Sequence, residues 1–154
     1  MSRRAGVAGW GRRRGIPSDI IRHFQSIPLF ESVSRKGLRS IVAAATETDV
    51  PPGKVLVREG ETGRHLYVIV EGSATVSHGG KKLAELGPGD FFGELAFLDA
   101  EPRSATVTAT TALRLMVLGP REMDVIVERE PAIVRRMLAT MARRIRASER
   151  SRRP

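Results

Sequence analysis

Phe91-Phe92-Gly93-Glu94-Leu95-Ala96-Phe97-Leu98, followed by Pro102-Arg103-Ser104-Ala105-Thr106-Val107, decides how this chain is read. A carboxylate, Glu94, and a guanidinium, Arg103, stand nine residues apart. The segment between them, Gly93–Leu98, is long enough for a short helix beginning at Gly93, whose first backbone N–H groups would be free to point outward. Such a helix start and an arginine together make an anion site, and the planar fork of arginine suits phosphate because it donates two parallel hydrogen bonds. A carboxylate in the same place repels an anion unless the ligand also carries a hydroxyl donor. A ribose phosphate carries both.

The motif resembles the phosphate-binding cassette of the cyclic nucleotide-binding domain family. Gly93-Glu94-Leu95 and Pro102-Arg103-Ser104-Ala105 stand in the family's order and at a similar spacing. Working outward, Gly53, Glu59-Gly60-Glu61, Leu66-Tyr67-Val68-Ile69, Glu71-Gly72 and Leu86-Gly87-Pro88-Gly89-Asp90 extend the resemblance over roughly residues 18–149. The resemblance implies roles. Arg103 meets the phosphate, and Glu94 accepts from the ribose 2′-hydroxyl. Gly93 lets the backbone approach the sugar, while the N–H groups of Leu95 and Ala105 donate to phosphate oxygens. Ser104 reaches the phosphate or a syn guanine; in the family threonine there favours cGMP and serine is more permissive, so cAMP is expected ahead of cGMP. Val68, Leu83 and Leu86 are the expected apolar walls of the base pocket, and Ser148 stands where catabolite-activator-type regulators place a hydroxyl near the adenine amino group. Each residue also has a plainer reading. Arg103 can pair with Glu94 or Asp99, Glu94 can serve the helix dipole, and Gly93 can be turn chemistry alone.

The rest of the chain divides around this cassette. Residues 1–15 hold five arginines, no acid and no periodicity, and are expected to be a disordered basic tail that includes Trp10. Residues 16–150 are the expected domain. Within 18–46, Ser18 and Asp19 offer a cap before Ile20, Ile21 and Phe24; Pro28 interrupts; and Ser34 offers a second cap before Leu38, Ile41 and Val42 at helical spacing. Within 47–118, short apolar segments (Val55–Val57, Leu66–Val70, Ala74–Ser77, Leu83–Leu86, Ala105–Ala109 and Leu113–Leu118) alternate with Pro- and Gly-rich turns, Gly79-Gly80 among them. This pattern predicts a mainly β fold with flanking helices: an antiparallel β-roll or jelly-roll barrel with N-terminal helices and a C-terminal helix pair. Pro120 and Pro131 open the two helices expected over 120–150. In the second, Val134, Leu138, Met141, Ile145 and Ser148 recur at spacings of 4, 3, 4 and 3, a heptad seam, while Ile133 and Met137 lie on a neighbouring face that packs on the barrel. Met141-Ala142-Arg143-Arg144-Ile145 resembles the dimer helix of catabolite-activator-type regulators, so a homodimer through this helix is expected.

The charge is uneven. The net +9 resides in the ends: residues 1–15 carry +5 and residues 135–154 carry +7, against −3 between them, with 151–154 closing the chain as a basic tail. Such ends either solubilise the chain or contact nucleic acid, an anionic membrane or an acidic partner. No aromatic interleaving or DNA-reading motif accompanies them, so at most weak, nonspecific nucleic-acid contact is expected. The absence of cysteine excludes disulfide and thiolate chemistry. His23, His65 and His78 are scattered and do not suggest a metal site; no Gly-x-Ser-x-Gly elbow or Walker-type loop points to catalysis. No apolar run reaches membrane-spanning length and no secretory leader is evident, which fits a cytoplasmic protein.

The expectation is a regulatory sensor with no catalytic residues and no metal. It takes cAMP or cGMP as its ligand and changes conformation as the cassette draws inward and the terminal helices repack over the base. The competing expectation is a nucleic-acid-binding or protein-interaction module that uses the Arg-rich ends and has a vestigial pocket. No helix-turn-helix segment follows the last helix before Pro154, so the chain reads as a stand-alone sensor or as a piece of a longer protein.

Overall fold

The computed structural model describes residues 18–93 and 102–152. The expected basic tail with Trp10, and the expected short helix after Gly93 with Glu94 and Leu95, lie outside the described residues. Helix α1 (Ser18–Gln25) leads through a 3-10 turn at Pro28–Phe30 to α2 (Arg35–Ala44). Among the described residues eight strands follow: β1 (Thr46–Val50), β2 (Val55–Val57), β3 (Leu66–Glu71), β4 (Ala74–His78), β5 (Lys81–Leu86), β6 (Phe91–Phe92), β7 (Thr106–Ala109) and β8 (Leu113–Leu118). Helices α3 (Pro120–Arg129) and α4 (Pro131–Arg152) close the chain.

Local chemistry accounts for the boundaries. The Ser34 side chain accepts from the Gly37 N–H at 3.0 Å, so α2 carries its expected N-cap. Pro120 and Pro131 each stand first in their helices, where the missing N–H costs nothing. The β4–β5 hairpin turns on Gly79-Gly80, both at positive φ (59° and 79°), a conformation that matches the twist of the flanking strands.

The strands form two antiparallel sheets, ordered β1-β8-β3-β6 and β2-β7-β4-β5. This is the expected β-roll with flanking helices. Strand parity divides the core in two. Leu66, Val68, Phe91, Met116 and Leu118 face Ile21, Phe24, Leu38, Ile41, Met123, Ile133 and Met137 of the helical layer. Ile69, Phe92, Leu113 and Leu115 face Val107 and Ala109 of the opposite sheet. Strand β3 is therefore buried on both sides, which explains its unbroken apolar run.

Two strands depart from the sequence reading. Helix α2 stops at Ala44, and Thr46 opens β1, paired with β8 from Thr46↔Val117 to Val50↔Leu113. Its sequence, Thr-Glu-Thr-Asp-Val, has a single apolar residue and shows no alternation to detect. Its buried charge, Glu47, lies 3.5 Å from Arg114 of β8, so the register is supported by an ion pair as well as by apolar packing. Strand β6 has only two residues, Phe91–Phe92, and pairs with Tyr67 and Val68.

Candidate functional site

Arg103 is 8% exposed, and the chain holds it at both ends. Its backbone N–H donates to the Glu61 carbonyl at 2.8 Å, and its carbonyl accepts from the Gly60 N–H at 2.8 Å, so the loop between β2 and β3 clasps the main chain. Its Nη1 donates to the Gly93 carbonyl at 3.2 Å and its Nη2 to the His65 carbonyl at 3.4 Å. Its guanidinium lies over the Tyr67 ring, 5.9 Å from the centroid. Among the described residues no carboxylate pairs with it, while Glu94 and Asp99, the partners in the plainer reading of Arg103, lie outside them. Carbonyl acceptors and a ring face carry no opposite charge, so among the described residues nothing neutralises this buried cation.

Gly93 is required where it stands. Its φ is +92°, and a Cβ there would come within 2.5 Å of the His65 carbonyl oxygen and 2.8 Å of Arg103 Nη1. Any side chain would displace the arginine as well as strain the backbone.

Arg103 opens onto a cavity of about 470 Å³ between the β2-β7-β4-β5 sheet and the C-terminal part of α4. Four residues of the expected cassette line it: Gly93, Arg103, Ser104 and Ala105. Leu83, Leu86 and Ser148 line it as well, so residues of the barrel side and the helix side meet at one cavity. Leu83 is 60% exposed and stands at the open rim. Val68 is corrected: it is fully buried in the helix-side core, and the apolar wall is made instead by Val57, Val76 and Val107. Tyr67 and Val68 point to opposite faces of β3, and a run buried on both sides gives no indication of which parity meets the cavity.

Arg144 also lines the cavity and was not anticipated. Its Nη2 donates to the Phe91 carbonyl at 2.7 Å, and its guanidinium sits 5.0 Å from the centroid of the Phe91 ring. It thereby fastens α4 to β6, two residues before Gly93. Helical period would have found it, since Arg144, Ala147 and Ser148 share one face and all three line the cavity.

Burial pushes the Tyr67 phenol above its ordinary value, while the nearby Arg103 charge pulls it the other way. A second concavity of similar volume, about 510 Å³, lies between α2 and α3, flanked by Lys36, Arg121 and Arg129. Among the described residues none of its polar lining side chains is buried, so the buried guanidinium, and not volume, distinguishes the two cavities. Among the described residues no group of three or more His, Asp or Glu is gathered as metal ligands would be. No described helix is long and apolar enough to cross a membrane.

This arrangement has relatives. The chain is 40% identical over 124 residues to a cyclic nucleotide-gated potassium channel of Mesorhizobium japonicum, covering 79% of this chain and 34% of the channel. It thus spans about a third of that relative's length. The Thermus thermophilus catabolite activator protein superposes with a TM-score of 0.73 at 29% identity, covering 80% of this chain and 61% of that one. The regulatory domain of Toxoplasma gondii PKA, crystallised with cAMP, gives a TM-score of 0.63 at 34% identity, covering 71% of this chain and 43% of that one. Residues 47–130, from within β1 through α3, match the cyclic nucleotide-binding domain, and the chain belongs to that family.

Proposed function

We propose that the chain is a regulatory sensor that binds a 3′,5′-cyclic purine mononucleotide, cAMP in preference to cGMP, in the cavity beneath α4. The observation that carries this reading is the buried Arg103 guanidinium, unpaired with any carboxylate among the described residues and opening onto a cavity of about 470 Å³. In this reading Arg103 grips the phosphate through its fork, Gly93 admits the sugar, Glu94 accepts from the ribose 2′-hydroxyl, and the Leu95 and Ala105 N–H groups donate to phosphate oxygens. Serine at 104, where the family's cGMP binders favour threonine, supports placing cAMP ahead of cGMP in this reading. The base lies between Leu83 and Leu86 on the barrel side and Ser148 on the helix side.

The chain then acts by binding and not by catalysis. Nucleotide shifts the population toward the state in which the cassette and α4 close, and it does so only by its differential affinity for the two states. Isothermal calorimetry with cAMP, cGMP and AMP tests the reading. Saturable heat with cAMP, weaker heat with cGMP and none with AMP at the same concentration is expected. No heat with either cyclic nucleotide at millimolar concentration would reduce the resemblance to one of fold.

A homodimer through α4 accompanies this proposal. Leu138 and Ile145 on the seam are 56% and 59% exposed, whereas Ile133 and Met137 on the neighbouring face are buried. The apolar seam is thus left uncovered by the chain's own roll, as a second copy's helix requires.

A further inference from the structure

We propose that Tyr67 is the positioning residue for Arg103, an aromatic shelf that holds the guanidinium in place for a phosphate in the cavity. The proposal rests on the reading of the cavity as a nucleotide site and adds a determinant of its anion recognition.

The shelf is built by strand register. Tyr67 of β3 pairs directly with Phe92 of β6, and the two rings stack at 4.8 Å with 9° between their planes. Cross-strand aromatic pairs of this kind fix each other's orientation. Phe92 lines the cavity and precedes Gly93, whose carbonyl accepts from Arg103. One stack therefore orients both the ring under the guanidinium and the chain that receives one of its hydrogen bonds.

The guanidinium is limited from the other sides as well. A Cβ at Gly63 would stand 2.8 Å from Nη2 and 3.2 Å from Nε, and a Cβ at Gly93 would stand 2.8 Å from Nη1. Two of the five N–H donors of arginine are used on the His65 and Gly93 carbonyls. Among the described residues the other three have no acceptor, and three are enough for a bidentate contact with phosphate. The carbonyls hold two edges of the fork and the ring supports its face. A leucine in place of Tyr67 leaves the edges held and the face unsupported.

The positioning role makes a specific demand on binding. It acts on the phosphate alone and not on the base or ribose. The test compares cAMP with adenosine, which keeps the base and ribose and lacks the phosphate, by calorimetry on Tyr67→Leu, Tyr67→Phe and Gly63→Ala. Tyr67→Leu is expected to weaken cAMP about ten-fold, in the range of a desolvated cation–π contact, and to leave adenosine unchanged. Tyr67→Phe keeps the face and is expected to match wild type. Gly63→Ala pushes on the same guanidinium, whose flexible end can yield without disturbing the fold, and is expected to act like Tyr67→Leu. Equal losses for cAMP and adenosine in Tyr67→Leu, or no loss for either, would overturn the proposal.

A second measurement needs no nucleotide. Tyr67 is the chain's one tyrosine, so its phenolate absorbance in an alkaline titration reports this ring alone. Arg103→Gln removes the neighbouring positive charge and is expected to move the ionisation of Tyr67 to higher pH. No movement would mean that ring and guanidinium are not in contact and would overturn the proposal by itself. A wild type that binds no cyclic nucleotide would refute the functional reading, and the titration would then decide on the contact separately.

Discussion

Arg103 and its neighbours carry the sharpest consequences of the structure. Arg103→Lys replaces a planar fork by a point charge and is expected to weaken cyclic nucleotide binding, while Arg103→Leu leaves the phosphate desolvated without a counter-charge. The loss for leucine should be about 2–5 kcal/mol, the cost of truncating one member of a buried charge pair, and calorimetry with cAMP reads it directly. Glu94→Ala should cost less and should largely erase the preference for cAMP over its 2′-deoxy analogue. Tyr67 adds a dependence on pH. Burial holds its phenol above the ordinary value, whereas in the unfolded chain it ionises at about pH 10. As pH rises through that value, the unfolded chain loses a proton that the folded chain retains. The stabilisation is therefore complete at neutral pH and declines as pH climbs toward the raised folded value. Urea unfolding at neutral and alkaline pH should show a smaller alkaline loss in Tyr67→Phe than in wild type.

The helices and turns obey local rules, and a local substitution should report them. Ser34→Ala removes the side-chain acceptor at the start of α2 and should cost about 1 kcal/mol of stability in urea unfolding, with nucleotide affinity unchanged. The same locality explains what could be read in advance. Ser34, Pro120, Pro131 and the Gly79-Gly80 hairpin announce their elements because caps, fixed φ and positive φ are properties of a few adjacent residues. Gly93, Arg103, Ser104 and Ala105 were legible because their motif falls within one short stretch of sequence, and the structure gathers all four at one cavity. Strand β1 was not legible, since an ion pair between Glu47 and Arg114, 67 residues apart, supports a register that its own residues do not advertise. Val68 was misplaced for the opposite reason: both faces of β3 are buried, and hydrophobicity alone does not tell them apart. Tyr67 and Arg144 matter through contacts with β6, a strand of two residues whose place depends on the whole sheet. Periodicity therefore located elements well, and it failed where tertiary pairing chose between equivalent faces.

The charge distribution and the exposed seam of α4 make opposite demands on salt, and this separates two roles for the same basic helix. Residues 135–154 carry eight arginines and one glutamate, and Arg143, Arg146 and Arg150 are exposed beside the seam. Two copies of α4 packed along Leu138, Met141 and Ile145 would bring like charges together. Screening acts over about 10 Å at 0.1 M salt, so added salt should relieve that repulsion and tighten a dimer. Nucleic-acid contact by the same arginines would release counterions and weaken steeply with salt. Sedimentation velocity at micromolar concentration across a salt series, run beside a titration of labelled duplex DNA, should show dimer rising while any DNA binding fades. Leu138→Glu puts a carboxylate on the seam beside its symmetry mate, where burial without a partner is costly, and should leave monomer at every salt concentration while retaining nucleotide binding. A wild-type chain that stays monomeric throughout, with and without cAMP, would remove the helix pair and leave the cavity as the chain's functional surface. DNA binding that persists at near-physiological salt and selects sequence would instead make the arginines of α4, and not its apolar seam, the reason the helix is exposed.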